Sequence, residues 1–480
     1  MADKTGKNSD SSSSQPQSVL PSTSTPFPRP SLAEYENNIL HYINSKVDLD
    51  TTRRKKPVLL LESACKESCC IFRVPQSFAE MNPEAYKPKV VSIGPYHYGG
   101  KHLEMIQQHK LRFLHLFLDK ARKNGVDKNV LFKAVIHLEE EIRISYSEQL
   151  CETSEELVYM MILDGCFILM LLLIVSRNIE LDESDDPIFT IPWILPSIES
   201  DLLLLENQVP FFVLQTLFVE SKIGLAGDLN RMAFSFFNLS MDKPERYWVK
   251  HRNFKATHLL DLMRMSFVPN MGSTSMDEDE DFQLIKGESG KKSSLDYTLI
   301  LSPTRLSLQG IDIRLRSDAD SMIDIRLKKN KLQIPLLRLD AFISSVLLNC
   351  VAFEQFYTKS MNDITSYVVF MGCLLNGEED ATLLSDDNRI IENYFGSEIE
   401  VSQFFKTICK DVVFDIRRSY LRNVFAEVNE KTSKWYSEYR VYLHSPWKVL
   451  SISISLISSL LQTISAIFFY LSDINIRQNQ

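Results

Sequence analysis

The chain has 480 residues, 44% of them hydrophobic, and carries 53 lysines and arginines against 62 aspartates and glutamates, a formal net charge of −9. That length exceeds what one compact core usually holds, so two domains, or one large helical domain with insertions, are expected. An acidic chain without a block of cations argues against nucleic-acid binding, since neutralising phosphates takes clustered lysine and arginine; Arg53-Arg54-Lys55-Lys56 is four residues long and reads as a solvated loop.

Residues 1–30 are Ser/Pro-rich, with four consecutive serines from Ser11 to Ser14, and predict a disordered tail without the apolar stretch of a signal peptide. Order is expected from Ser31, where Ser31-Leu32-Ala33-Glu34 has the pattern of a capping box and Leu32, Tyr35, Ile39, Tyr42 and Ile43 recur at helical spacing. From Ile71 to Tyr98 short apolar runs are broken by Pro75, Pro83, Pro88 and Pro95. This predicts irregular, pinned structure, with Val90 to Ile93 the best strand candidate. Leu103 to Lys123 predicts an amphipathic helix, with Ile106, Leu111, Leu114 and Leu118 inward and Gln107, Lys110, Arg112 and Lys120 toward water.

Leu157 to Val175 is apolar almost all round and resembles a membrane span. Asp164 in its middle and acidic flanks (Glu155, Glu156, Glu180, Asp182, Glu183) point instead to a buried core helix. In Ser197 to Phe218, Pro210 suits the first turn of a helix, so two helices should meet at Asn207-Gln208. The acidic run Asp277 to Asp281, followed by Gly287 and Gly290, predicts a disordered linker at 270–295 between a helical subdomain, 31–269, and a second subdomain, 296–446. Alternating apolar residues (Leu306, Leu308, Ile311, Ile313, Leu315, then Ile323, Ile325, Leu327, then Leu332, Ile334) predict two or three antiparallel strands, the last pair joined at Asn330. Helices are expected at 342–357, 364–375, 386–395, 402–408 and 420–442.

Val449 to Leu471 is a run of 23 residues without a charged side chain, about 34 Å of helix at about 1.5 Å per residue. Trp447 and Lys448 on one side and Tyr470, Asp473 and Arg477 on the other make the aromatic and charged edge of a membrane interface. The expectation is a single-pass anchor at 447–471 with a short tail, 472–480; six serines and Gln462 leave a buried terminal helix as the alternative. Lys431, Lys434, Arg440 and Lys448 precede the run and only Arg477 follows, which favours a cytosolic body.

Eight cysteines are too few for a disulfide framework, and Cys166, Cys350 and Cys373, set in apolar runs, read as small buried hydrophobes. Cys65, Cys69 and Cys70 lack a second pair at zinc-finger spacing, and the spacings of His97, His102 and His109 do not place all three on one helical face, so no metal site is expected. No phosphate-binding loop, dinucleotide fingerprint or nucleophile elbow occurs, and no cofactor or catalytic set is assigned. Four polar candidates remain: Asp164, Glu206 and Glu354 in apolar surroundings, and His97 in a Pro-Gly loop. A buried carboxylate can serve as a general acid or base, or as an acceptor for backbone amides; Asn207, Gln208 and Gln355 beside them favour the structural network. Asn238-Leu239-Ser240 is a glycosylation acceptor sequence, usable if it lies on a surface loop outside the cytosol.

Five motifs in order, Val91-Ser92-Ile93-Gly94-Pro95-Tyr96-His97, Met161 to Leu169, Asp201 to Phe212, Val351-Ala352-Phe353-Glu354-Gln355 and Pro446-Trp447 before the terminal apolar run, resemble the plant family called domain of unknown function 247. The resemblance covers about residues 35 to 471. It departs at Met105-Ile106-Gln107, where many members place a glutamate next to the methionine. The resemblance implies a large, mostly helical body and a C-terminal membrane helix, with no established catalytic activity; members in grasses are associated with pollen self-incompatibility, which implies recognition. The expected fold is therefore mainly α: a multi-helical body, a small antiparallel β insertion and a C-terminal transmembrane helix. The expected function is a membrane-anchored module for an unknown protein partner. An enzyme using buried carboxylates near a membrane is the alternative.

Overall fold

A computed structural model describes residues 68–433 and 446–478, apart from a long gap at 269–299 and short ones at 81, 180–185, 225–227, 242, 245–246, 249–252, 301, 358, 395 and 411. The helix expected after Ser31, Cys65, the acidic linker and the end of the 420–442 helix lie outside the described residues. The described parts fall within one compact unit, Pro57–Gln480.

The protein is mainly helical. The amphipathic helix is present as α1, Glu104–Lys123, followed by α2, Lys128–Ile136, whose first turn is capped by Asp127. The centre of the fold is α3, Ser154–Val175. It begins in a capping box, with Glu156 N donating to Thr153 Oγ1 at 3.3 Å and Thr153 N donating to the Glu156 carboxylate at 3.0 Å, so two otherwise free amides satisfy each other's side chains. From Leu157 to Ile174 every side chain but Tyr159 is buried. An all-apolar helix needs cover on all sides, and it receives it from α1, α2, α5 (Phe211–Glu220) and α6 (Asp228–Met241). The two helices expected around Asn207-Gln208 are α4, Ile194–Asp201, and α5, with Leu202 to Pro210 as the bend between them. Helix α7 spans Leu259–Phe267.

The small sheet has strands β1 (Asp312–Arg316), β2 (Arg326–Lys328) and β3 (Lys331–Pro335) in the order β1-β3-β2. β2 and β3 form the expected antiparallel hairpin, with Leu327 opposite Leu332; both turn residues, Lys329 and Asn330, have positive φ (50° and 63°), as a two-residue hairpin turn of this hand requires. β1, however, lies parallel to β3, Ile313 opposite Leu332, where an antiparallel strand is expected. Alternation reports which face a residue occupies and carries no information on strand direction. Two further strands, β4 (Leu337–Leu339) and β5 (Ile391–Asn393), pair in parallel. β5 and a π-helical turn at Leu383–Asp387 replace the helix expected at 386–395, and Leu306 and Leu308 belong to a short helix, Pro303–Leu308, instead of a strand.

Helices α8 (Ala341–Phe356), α9 (Asp363–Leu374), α10 (Glu398–Ile408) and α11 (Arg422–Ser433) complete the body. Residues on both sides of 269–299 contribute to one continuous hydrophobic core. Polar contacts also cross: Leu205 N donates to Asn349 Oδ1, and Asn349 Nδ2 donates to Ala85 O, both at 2.9 Å. Last comes α12, Pro446–Gln478, a long apolar helix on which every residue from Leu450 to Phe468 is exposed.

Candidate functional site

Val90 to Ile93 is extended and buried but pairs with no strand among the described residues, so the strand expected there is absent and its backbone amides need other acceptors. Side chains from the helices supply them. The Asp201 carboxylate, at the end of α4, accepts from Lys89 N (2.9 Å), Val90 N (2.7 Å) and Val91 N (3.0 Å). Asn207 Oδ1 accepts from Ile93 N at 2.7 Å while its Nδ2 donates to Val91 O at 3.0 Å and Asp201 O at 2.9 Å. Asp164 accepts from Gly94 N at 2.8 Å. Lys110 closes the set by donating both to Asp164 and to Ser92 O.

Lys110 is a correction to the amphipathic pattern. It was expected in water and is 1% exposed, whereas Leu111, expected inward, is 41% exposed because it lies one position round the helix from the buried Lys110. The position of Lys110 four residues after Ile106 and four before Leu114 places it on the inward stripe, where a cation persists only with a counter-charge. Burial pushes the Asp164 carboxyl up from its usual range, and the Lys110 ammonium and the Gly94 amide pull it back. Gly94 itself has φ +70°, and a Cβ there would lie 2.5 Å from Gln208 O and 2.9 Å from the Tyr146 hydroxyl. Only glycine fits this turn, because Tyr146 donates to Gln208 O at 2.9 Å directly against it.

At the outer end of the same segment the polar groups extend toward the surface, which Arg73 reaches. Glu206 accepts from Val74 N at 2.7 Å, and its other oxygen lies 3.0 Å from His97 Nε2 and 3.6 Å from Arg73. The His97 approach is an ion-pair distance without hydrogen-bond geometry. Arg73 also pairs with Glu148 at 3.0 Å and lies over the Tyr96 ring, 4.4 Å from its centroid. Of the four polar candidates, His97 and Glu206 are thus brought together, with Arg73 half-open to solvent beside them.

The other two are apart. Asp164 is held as described. Glu354 on α8 accepts from Ile364 N (3.1 Å), Thr365 N (2.7 Å) and Arg264 (3.4 Å), joining the start of α9 to α7. Burial pushes Glu354 up to about 7, against Arg264 and the two amides. Arg264 is shared with Asp261 at 2.9 Å. His258, the cap of α7, accepts from Asp261 N at Nδ1 (3.1 Å), so Nε2 carries the proton donated to Cys70 O at 3.0 Å. Burial lowers it to about 4, which keeps this ring neutral.

Lys110, Asp201, Glu199, His258, Asp261 and Arg264 are network residues that sequence reasoning missed. Asp201 had a signal, as the first residue of the Asp201 to Phe212 motif, and Lys110 had one in its helical phase. His258 and Arg264 had none, being ordinary residues until the fold surrounds them. His102 bonds Pro88 O at 3.2 Å, away from His97, and no three groups able to hold a metal converge among the described residues. Cys166 and Cys350 are buried and Cys373 is half-buried, all as free thiols. Asn238 lies in the last turn of α6, not on a loop. Its amide bonds the backbone of Lys243 (2.7 and 3.0 Å), and Ser240 Oγ is 2.6 Å from the buried Glu199 carboxyl. Burial raises Glu199 to about 8, and the Ser240 contacts oppose it.

The arrangement is chemically a clamp: carboxylates and amides from α3, α4 and the 202–210 bend satisfy an extended segment that has no strand partner. A family model described as a plant protein of unknown function, DUF247, matches residues 71–461. The UPF0481 protein At3g47200 of Arabidopsis thaliana is 61% identical over 433 residues, 87% of this chain and 90% of that protein. A second Arabidopsis thaliana protein under the UPF0481 name, At3g02645, is 20% identical over 479 residues, covering 79% of this chain and 86% of its own length. No solved structure matches.

Proposed function

This chain belongs to the DUF247 family of plant proteins of unknown function, and from that premise we propose that it is a membrane-tethered recognition protein. Helix α12 crosses a bilayer once and the helical body offers its surface to a protein partner. The observation that carries the reading is the bareness of α12: the stretch Leu450–Phe468 has a mean hydropathy of 1.7 and none of it is buried by the body. Nineteen residues span about 28 Å at about 1.5 Å each, close to the hydrocarbon thickness of about 30 Å. Polar side chains in this stretch are compatible with lipid where they bond their own helix. Thr463 Oγ1 donates to Leu460 O at 2.8 Å, which satisfies its hydroxyl proton within the helix.

Recognition, in preference to catalysis, is supported by where the carboxylates go. Asp164, Asp201 and Glu354 are occupied by backbone amides and cations, with no donor-acceptor capacity directed at a cleft. The enzyme alternative rests on the pairing of His97 and Glu206 beside the half-exposed Arg73; His97→Gln would leave partner binding and stability nearly unchanged on the recognition reading. A cytosolic body is supported by the excess of Lys431, Lys434, Arg440 and Lys448 before the Leu450–Phe468 stretch over Arg477 after it.

Deleting residues 447–480 is expected to move the body into the soluble fraction. Its persistence in carbonate-washed membranes would overturn the single-anchor reading. Proximity labelling from the intact chain identifies the partner. A glycosidase-sensitive mobility shift that Asn238→Gln removes would place the body outside the cytosol.

A further inference from the structure

A groove of about 1160 Å³ lies between α9, the end of α10 and the segment Val412 to Arg417. Its floor is apolar: Val369 and Cys373 of α9, Phe405 of α10, then Cys409, Phe414 and Ile416. The two helices approach closely because residue 372 is glycine; a Cβ there would lie 2.9 Å from Cys409 Sγ. Burial holds the Cys373 thiol up at about 11 and the Cys409 thiol up at about 12, so both stay protonated and act as apolar lining, unsuited to metal binding or nucleophilic attack.

The rim has a different character. Lys406 and Lys410 stand four residues apart, both exposed, and no carboxylate among the described residues pairs with either. Arg417 is held by Asp415 at 3.1 Å. Three cations less one carboxylate leave the rim at plus two, on a chain whose net charge is −9. A long apolar trough with unneutralised ammonium groups at its edge is complementary to a molecule with an apolar chain and a compact anionic head.

We propose that this groove binds a long-chain fatty acid, its acyl chain along the floor between α9 and α10 and its carboxylate at Lys406 and Lys410. The site is distinct from the α12 helix and does not depend on the membrane reading.

The test uses the full chain in nanodiscs of zwitterionic phosphatidylcholine, titrated with dansyl-undecanoic acid against empty nanodiscs. Saturable fluorescence enhancement that oleate displaces is expected. The dansyl alcohol of the same chain length, and Lys406→Gln with Lys410→Gln, should each bind about tenfold more weakly, since each removes one side of a charge-assisted contact. Val369→Trp, which fills the floor, should abolish saturation. Should that variant fail to fold, the head-group comparison and the exposed lysine pair decide the matter alone. No saturable signal above empty nanodiscs, or equal binding of acid and alcohol, would overturn the proposal. So would stronger displacement by a peptide of residues 273–283, which would assign the groove to an acidic peptide.

Discussion

Among the described residues two helices are long and apolar enough to cross a membrane, and their surroundings are opposite. α3, with mean hydropathy 2.6, is 89% buried inside the body; the Leu450–Phe468 stretch of α12, with mean hydropathy 1.7, is entirely exposed. Hydropathy ranks the two in the reverse order of their availability to lipid. What separates them is company: α3 carries Asp164 with a cation and an amide ready for it and four helices around it, whereas the Leu450–Phe468 stretch of α12 carries only hydroxyls and one side-chain amide as polar groups, of which Thr463 bonds its own helix. A carboxylate inside an apolar helix therefore marks the helix that the protein, and not the bilayer, must solvate.

Charge insertion should break the comparison most sharply. Leu169→Arg puts an unpaired cation into the middle of α3, at a cost of several kcal/mol, comparable with the whole stability of a domain at about 5–15 kcal/mol. The expected outcome is loss of cooperative thermal unfolding. Leu460→Arg in α12 should leave the melting transition of the body in place and weaken membrane retention by about 2.5–3.5 kcal/mol. Identical effects on folding from both would show that α12 belongs to the core.

Next in size is Asp164→Leu, which leaves Lys110 without its counter-charge and Gly94 N without its acceptor and should cost about 3–5 kcal/mol in denaturant titration. Adding Lys110→Met should recover part of that loss, because the stranded charge is then gone. No recovery would mean that the amide contact, and not the ion pair, carries the energy.

Glu199 separates the body from α12 by pH. Its folded value of about 8 lies above the unfolded value of 4.5. The carboxyl therefore takes up a proton on folding: stability is full below pH 4.5 and declines as pH rises toward 8. Glu199→Gln should flatten this slope and stabilise the body by about 2–4 kcal/mol at pH 8 relative to wild type, with little difference at pH 4. Membrane retention through α12 should not change over the same range. A variant with the wild-type slope would show that Glu199 does not titrate there.

A smaller effect is expected from Gly165→Ala in α3. The added Cβ would sit 2.6 Å from Leu217 Cδ1 of α5, so that side chain must shift, at about 1–3 kcal/mol. Ser458→Ala, on the exposed face of α12, should stay within about 0.5 kcal/mol.

Much of the helical body was legible in the sequence. The helix α1 with Ile106 and Leu114 inward, the apolar α3 with its central aspartate and the break before Pro210 appear where periodicity and proline placement put them. The hairpin at Asn330 also stands as expected. The candidate site was legible in part. Glu206 and His97 do meet, but nothing in their positions, over a hundred residues apart, announces it. Val90 to Ile93 was misread because an apolar, β-branched run looks the same whether its amides face a neighbouring strand or side-chain acceptors such as Asp201 and Asn207. Lys110 was assigned by residue type although its helical phase pointed inward.

Local sequence determined what acts over a few residues: the helical stripes, the capping box at Thr153, the hairpin turn with two positive-φ residues, and the uncharged length of α12. These depend on backbone sterics and side-chain spacing within one element. The tertiary structure alone decided the parallel placement of β1, the convergence of Arg264, Asp261 and Glu354, and the burial of Lys110 against Asp164. Direction, ion pairing and burial are properties of distant segments brought together, and they acquire a free energy only once the chain has closed those distances.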